Sequence, residues 1–240
     1  MRNVSLIARR ELAAYLRTMS GYVIIAVMLF IDGLLFNAYA AQGGGKRSSE
    51  VLADFFTLTS GITLVGTVFL SMRLIAEERQ TGTIALLYSS PVHDVEIVAG
   101  KFLAALAFLS LFLLATLYMP ALVAVYGKVA PGHIAAGYLG LVLVGSAGLA
   151  IGTFGSSLTR SQVVAAVLSG MMVLALTTCW LLTKVTDRPL TEVVGALAWW
   201  GHFDAFRTGL VSLKHVVYFV LVTFLALYAA TRVLEARRWR

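Results

Sequence analysis

Residues 77–91 (EERQTGTIALLYSSP) bring acidic side chains, a helix breaker and an apolar helix face close together in the sequence. Gly82 can end an incoming helix, and the side chain of Thr83 can cap a new one. The pattern predicts a short, stiff amphipathic helix over 79–91 that suits seating in a groove of another protein, the alternative being an ordinary tight loop. The residues that would carry this role are Glu78, Gly82, Thr83, Ile84, Leu87 and Pro91.

Asp32 is a carboxylate inside the first long apolar run of the chain. Placing it at the centre of a membrane span costs about 2.5–3.5 kcal/mol, which the surrounding Val, Leu, Ile and Phe residues offset. Its predicted role is a proton or substrate contact, or a polar bond to another helix. The alternative is a shifted span in which Asp32 lies near the outer headgroups beside Asn37.

A third group of side chains combines aromatic rings with His, Asp and Arg between two late apolar runs. It predicts an external gate or a docking surface for an extracytoplasmic partner, and structural anchoring at the membrane surface is the alternative. No metal site is expected here, because a His and an Asp two positions apart in a helix make a poor ligand pair. The group comprises Trp199, Trp200, His202, Phe203, Asp204, Phe206 and Arg207.

No catalytic centre is expected in the chain. Ser146 and Ser157 lie near glycines, but none of the four histidines falls in the middle of a predicted span, which argues against an intramembrane serine protease. The stretch 43–48 (GGGKRS) resembles part of a phosphate-binding loop, yet the loop's first glycine is missing. Arg47 also stands where Ser or Thr would follow the lysine.

The overall composition is that of a membrane protein. Of the 240 residues, 59% are hydrophobic and 13% are charged, whereas a soluble domain has about 25% charged residues. The net charge of +7 is concentrated beside the ends of apolar runs, where basic side chains meet lipid headgroups, so nucleic acid is not an expected partner. Cys179 is the single cysteine, which excludes an intrachain disulfide.

The predicted fold is an all-α polytopic membrane protein that forms a single domain over residues 1–240. The apolar runs predict six transmembrane helices, with an interfacial helix over 1–18 and short external helices over 184–213. Pro120 is expected to kink the long third span, and the small residues of the fourth predict close helix packing. The predicted spans are 20–41, 52–74, 95–126, 134–158, 161–183 and 214–235.

The distribution of lysine and arginine predicts the orientation. More of these residues lie on the side that holds the N-terminus than on the opposite side. Because cytoplasmic loops carry the excess of basic residues, both termini are expected in the cytoplasm, with the chain in the plasma (inner) membrane.

The spacing E-x-x-x-G-T-x-x-x-L-x-x-x-P, which begins at Glu78, resembles the permeases of type 2 ABC exporters. Other segments are similar to the gliding-motility-associated branch of those permeases. These are Gly100-Lys101-Phe102, 157–159 with 162–169, His202-Phe203-Asp204 with Phe206, and the tail 234–239.

This resemblance implies a permease subunit that couples ATP hydrolysis by a separate ATPase subunit to export or to conformational work. In such permeases the segment that corresponds to 79–91 is the coupling helix, which docks on the ATPase. The chain itself would hold no cofactor, because the partner binds ATP and Mg.

The expected partners are ABC ATPase subunits, a second copy of the chain or a related permease, an extracytoplasmic or membrane-anchored accessory subunit, and the lipid bilayer. The alternative function is a non-transporting scaffold or mechanical transmitter that acts on an extracytoplasmic partner.

Overall fold

The structure, a computed structural model, describes residues 2–41, 47–83, 92–182 and 195–238. Every regular element within these ranges is helical. The α-helices include α1 (Arg2–Arg17), α2 (Met19–Leu35), α3 (Ser48–Ser71), α4 (Ala76–Gln80), α5 (Asp94–Ala115), α6 (Tyr118–Tyr126), α7 (Pro131–Leu158), α8 (Gln162–Leu182), α9 (Trp199–Arg207) and α10 (Leu213–Arg238), and a π-helical stretch (Phe36–Ala41) continues α2.

Six helical stretches of the described chain are long and apolar enough to cross a membrane. This confirms the all-α polytopic membrane fold, since about 20 apolar residues suffice for one span. The stretches are Met19–Tyr39, Ser48–Gln80, Asp94–Val125, Pro131–Leu158, Gln162–Leu181 and Leu213–Arg237.

The spans divide into a buried centre and an exposed periphery. Helices α3, α5 and α7 are largely buried, whereas few residues of α2, α8 and α10 are fully buried. The exposed side chains of the peripheral helices are large and apolar, for example Phe30 of α2, Met171 of α8 and Phe224 of α10. These surfaces therefore suit contact with lipid or with another membrane-embedded chain.

Helix α7 lies at the centre because its small residues allow neighbouring helices to approach closely. A Cβ atom at Gly148 would lie 2.6 Å from the Thr67 hydroxyl oxygen of α3, and one at Gly152 would collide with Ser71. On the other side, Ser169 of α8 donates a hydrogen bond of 3.2 Å to the backbone oxygen of Gly152. The close packing expected of these small residues is present.

The third span contains the expected break near Pro120. Helix α5 ends at Ala115 and α6 begins at Tyr118, so the break precedes the proline. A proline ring clashes with the carbonyl four residues earlier, which here belongs to Thr116. The backbone adapts with a tighter turn, in which the N–H of Met119 donates to the Thr116 oxygen.

The bundle has two distinct ends. What we term the α1 end comprises α1, residues 72–83, the start of α5 and the last turns of α7 and α10. Asn3 donates to the Glu96 carboxylate at 3.1 Å, and Arg237 donates to the backbone oxygen of Leu158 at 2.7 Å. What we term the α9 end comprises α9 and the first turns of α7 and α10, with His133 Nε2 lying 2.8 Å from the backbone oxygen of Arg207.

Candidate functional site

A side chain of α7 fixes the short helix α4 at the α1 end. After α3 the chain turns through residues 72–75 before α4 begins, which leaves backbone N–H groups without partners in the helix. Ser156 Oγ accepts hydrogen bonds from the N–H groups of Ile75 at 3.1 Å and Ala76 at 2.9 Å, and donates to the Met72 oxygen at 3.2 Å. The start of α4 is therefore held by the last turns of α7.

Lys101 joins α4 to two other helices. Its Nζ atom lies 2.8 Å from Glu78 Oε1 of α4 and 3.2 Å from Glu11 Oε1 of α1, and Lys101 itself belongs to α5. Only 2% of the Lys101 side chain is exposed, and the two carboxylates are also mostly buried. Arg10 adds a second cation 2.8 Å from Glu11 and 3.7 Å from Glu78. These four residues form what we term the Lys101 cluster.

The charges of the Lys101 cluster depend on one another. Burial raises the pKa of the Glu11 carboxyl, but the charges and hydrogen bonds of Lys101 and Arg10 outweigh burial and hold this pKa below its ordinary value. Glu11 is therefore ionised at neutral pH. Removal of Lys101 would leave the two mostly buried carboxylates with only the exposed Arg10 as a cation, a costlier arrangement than the paired one.

A second set of polar contacts ties the turn before α4 to the first span. Arg73 lies 2.9 Å from Glu77 and donates a hydrogen bond of 2.7 Å to Ser20 Oγ, near the start of α2. The Tyr15 hydroxyl of α1 donates to the Leu70 backbone oxygen at 3.1 Å. A cavity of about 300 Å³ separates these contacts from the Lys101 cluster, with walls formed by Tyr15, Arg73, Glu77 and both cluster carboxylates.

The segment that leaves α4 ends in a turn at Gly82. This glycine has a φ of +74°, in the left-handed region that favours glycine and commonly terminates helices. The Thr81 and Thr83 hydroxyls lie 3.0 Å apart, and Thr81 also donates to the Glu77 backbone oxygen at 2.9 Å.

Part of the predicted helix over 79–91 can be compared with the structure. Residues 79–80 belong to α4 and residues 81–83 form the turn. These five residues do not decide whether a helix covers the rest of the predicted range, so the helix over 79–91 stays a prediction. Ile84, Leu87 and Pro91 lie outside the described residues, and their predicted roles stay predictions.

Helix α9 holds the predicted aromatic cluster at the other end of the bundle. Trp199, Phe203 and Phe206 are buried, whereas Trp200 is half-buried. Asp204 and Arg207 form an ion pair of 2.6 Å on the outer face of α9, away from His202. The structure thus separates the aromatic residues, which pack inward, from the charged pair.

His202 is buried and contacts His215, a residue that the sequence did not connect with it. Their Nδ1 atoms lie 2.9 Å apart, and the ring of Tyr218 stacks on His202 at 3.9 Å. His202 Nε2 lies 3.0 Å from the Ala196 oxygen and must donate there, so its neutral Nδ1 accepts from His215. Burial lowers the pKa of His202, and His215 and Lys214 lower it further. Among the described residues no three His, Cys, Asp or Glu side chains are grouped as a metal would require.

Asp32 lies in the seam between α2 and α3 and is only 1% exposed. The hydroxyl of Thr59 donates a hydrogen bond of 2.9 Å to its Oδ1 atom. Thr59 occupies the middle of α3, so the Asp32 carboxyl lies inside the bundle. This hydrogen bond corresponds to one of the roles that the sequence suggested for Asp32, a polar bond to another helix.

Three residues of the α1 end were missed as site residues from the sequence. Lys101 entered the sequence analysis only within Gly100-Lys101-Phe102, and neither Glu11 nor Ser156 was singled out. One feature of the sequence could have pointed to Lys101. It interrupts an apolar run from Ile97 to Leu109, where a lysine exposed to water would be out of place.

Residues 6–187, more than half of the chain, match the model of a family described as ABC-2 family transporter protein. The match extends from α1 through α8 and therefore includes every residue of the Lys101 cluster and Ser156. No curated protein matches the chain.

Proposed function

The chain belongs to the ABC-2 transporter family as a multi-pass membrane permease subunit, and we propose that it couples ATP hydrolysis by a separate ATPase subunit to movement of its transmembrane helices. The coupling helix predicted over 79–91 would dock on that ATPase, and the α1 end would face the cytoplasm. The observation that supports this proposal most strongly is the Lys101 cluster, which connects the segment leading to residues 84–91 with α1 and α5.

The contacts of α4 and of the turn before it would transmit a displacement of α4 to α1 and α5, to α7 and to α2. Lys101 connects Glu78 to α5 and to Glu11 of α1, Ser156 connects the start of α4 to α7, and Arg73 connects the preceding turn to α2. Displacement of a helix that follows Gly82 would act first on α4. Because packed helices move as rigid elements, that displacement would shift the spans together rather than be absorbed locally.

The proposed assembly contains two permeases and two ATPases. ATP and Mg would be bound by the ATPase subunits, so this chain would contribute the membrane path and the docking segment. The exposed apolar surfaces of α2, α8 and α10 suit a second permease, either another copy or a related chain, as well as lipid. A location in the inner membrane with both termini in the cytoplasm follows from the orientation predicted by the basic residues.

The substrate proposal is an amphipathic or lipidic molecule moved outward. Buried hydroxyls of the described spans, such as those of Thr67 and Thr153, donate to backbone oxygens of their own helices, and apolar residues dominate the remaining span surfaces. Such surfaces suit an apolar cargo better than a hydrophilic one. The resemblance to the gliding-motility-associated branch stays a prediction, because the family match does not distinguish branches.

Co-purification tests the proposed coupling. The tagged chain would be purified in mild detergent from its own membranes, and the associated proteins would be assayed for ATP hydrolysis. A bound ATPase is expected, and Leu87→Asp should release it or change its basal rate several-fold by placing a charge in the docking face. Leu210→Asp is the matched control, since Leu210 is exposed at the α9 end. Equal ATPase recovery and rates in both variants would contradict the proposal.

A further inference from the structure

The buried carboxyl of Asp32 has an incomplete set of partners. Oδ1 accepts from Thr59, but Oδ2 has no hydrogen-bond partner among the described residues. Thr63 lies one turn further along α3, and its hydroxyl is also buried without a partner there. Positions four apart on a helix share a face, so two unsatisfied polar atoms lie on one side of α3.

The missing hydrogen bond of Asp32 Oδ2 is costly because the contact between Asp32 and Thr59 lies far from both ends of α3. Thr59 lies eleven residues from Ser48 and twelve from Ser71, the two ends of α3. At 1.5 Å per residue it is roughly 17 Å from either end, which is close to the middle of a hydrocarbon layer about 30 Å thick. An ionised carboxylate with a single hydrogen bond is strongly disfavoured at that depth.

No cation balances a charge on Asp32 within the described chain. The charged groups of the neighbouring helices lie towards the two ends of the bundle: Glu50 and Asp54 on α3, Asp94, Glu96 and Lys101 on α5, and Arg9, Arg10, Glu11 and Arg17 on α1. At the level of Asp32 the titratable groups are hydroxyls. Tyr138 of α7 bonds Thr116 at 3.1 Å, and the Tyr118 hydroxyl lies beside Gly33.

We infer that Asp32 is a proton-binding site that carries a neutral carboxylic acid at neutral pH in this conformation. A hydronium ion from the solvent supplies the proton: its O–H bond breaks to leave water, and the Oδ2–H bond forms, while Oδ1 continues to accept from Thr59.

Protonation is then linked to contact between α2 and α3. If these helices separate, water reaches the carboxyl, the ionised form is solvated and the proton leaves. If they close, a proton must be taken up again. By linkage, acid conditions favour the closed seam and alkaline conditions favour its opening.

Infrared spectroscopy of the full chain in lipid tests this inference, and its first measurement uses the wild-type protein alone. At neutral pH we expect a carbonyl-stretch band of a protonated, weakly hydrogen-bonded carboxylic acid, and the band should shift when the protein is made with ¹³C-labelled aspartate. Asp32→Asn should remove the band, whereas Glu50→Gln, which alters an exposed acid, should leave it in place.

Three outcomes would overturn the inference. The first is the absence of such a band at neutral pH in labelled wild-type protein, which does not depend on any variant folding. The second is a band that persists in a folded Asp32→Asn protein. The third is loss of the band on adding sodium or potassium at constant pH, which would identify a monovalent cation as the ligand.

Discussion

Lys101 Nζ lies 2.8 Å from a carboxylate oxygen of Glu78, and the lysine side chain is almost completely buried. The first residue comes from a transmembrane helix and the second from the short helix that leads to the predicted docking segment. Because Lys101 also pairs with Glu11 of α1, these ion pairs connect three separate helices, α1, α4 and α5. The consequences for stability and for coupling can be measured separately.

Loss of the lysine should destabilise the protein and weaken its response to the ATPase. Lys101→Met keeps the length of the side chain but leaves Glu11 and Glu78 without their shared cation, which for a buried pair costs on the order of 3 kcal/mol. Thermal unfolding in detergent should show a lower Tm for this variant. Lys128→Met, which alters an exposed lysine, should unfold as the wild type does.

A double-mutant cycle separates the Lys101–Glu78 interaction from general effects of each change. Glu78→Gln combined with Lys101→Met should cost less than the sum of the two single changes, with a coupling of about 0.5–3 kcal/mol. Glu235→Gln combined with Lys101→Met is the matched control and should be additive, because Glu235 pairs with Arg232. Additivity in both cycles would show that the contact carries no interaction energy.

Ser156 should protect the backbone at the start of α4. Ser156→Ala removes the acceptor of the Ile75 and Ala76 N–H groups, and a buried donor left unsatisfied costs about 1–3 kcal/mol. Hydrogen–deuterium exchange should therefore become faster over residues 75–80. Ser146→Ala is a suitable comparison, since Ser146 donates to Leu143 within its own helix. If residues 75–80 exchanged at the same rate in the Ser156→Ala variant as in the wild type, Ser156 would not stabilise the start of α4.

Close packing of α7 should make Gly152 intolerant of a side chain. A Cβ atom there would collide with Ser71, whereas a Cβ atom at Gly170 would enter open space. Gly152→Ala is expected to cost about 1–3 kcal/mol through overpacking, and Gly170→Ala to cost little. Tm values of the two variants test this, and equal values would argue against a tight α3–α7 interface.

The histidine contact at the α9 end should weaken in acid. Because the pKa of folded His202 is below the ordinary value of about 6.5, the unfolded chain binds protons first as the pH falls. The stability contributed by neutral His202 is thus present above about pH 6.5 and is lost as the pH falls from there through the folded pKa. Protonated His202 would also direct a second N–H towards His215.

Thermal unfolding on both sides of about pH 6.5 measures this effect. The fall in Tm towards acid pH should be smaller in His202→Gln than in the wild type. His93→Gln is the control, because His93 lies at the α1 end, far from the contact of His202 with His215, so the His202 effect should persist in this variant. Glu11 does not affect the comparison, since its stabilisation is present above the ordinary Glu pKa of about 4.3 and is lost only as the pH falls from there through its lowered folded pKa.

The sequence predicted the membrane fold more completely than the site. Long apolar runs determine spans through transfer energy alone, so the six helices, the break before Pro120 and the glycine packing of α7 were all accessible from residue types. Glu78 and Gly82 were also identified, because a charged residue and a helix breaker after a span are local signals.

Partners that are distant in the sequence could not be identified in the same way. Lys101 and Glu11 are ninety residues apart, and their contact depends on how α1 packs on α5. The pairing of His202 with His215 likewise required the angle between α9 and α10. Asp32 was recognised as unusual, but its burial against Thr59 depended on which face of α2 meets α3.

The central claim is that residues next to Gly82 contact an ATPase, and site-specific photo-cross-linking tests it most directly. A photoreactive amino acid would replace Thr83, which is exposed, in the chain expressed in its own membranes. The same residue at position 210 serves as the control at the opposite end. We predict an adduct with an ATP-binding subunit from position 83 and none from position 210. The absence of any adduct from position 83, or an ATPase adduct from position 210 alone, would contradict the account.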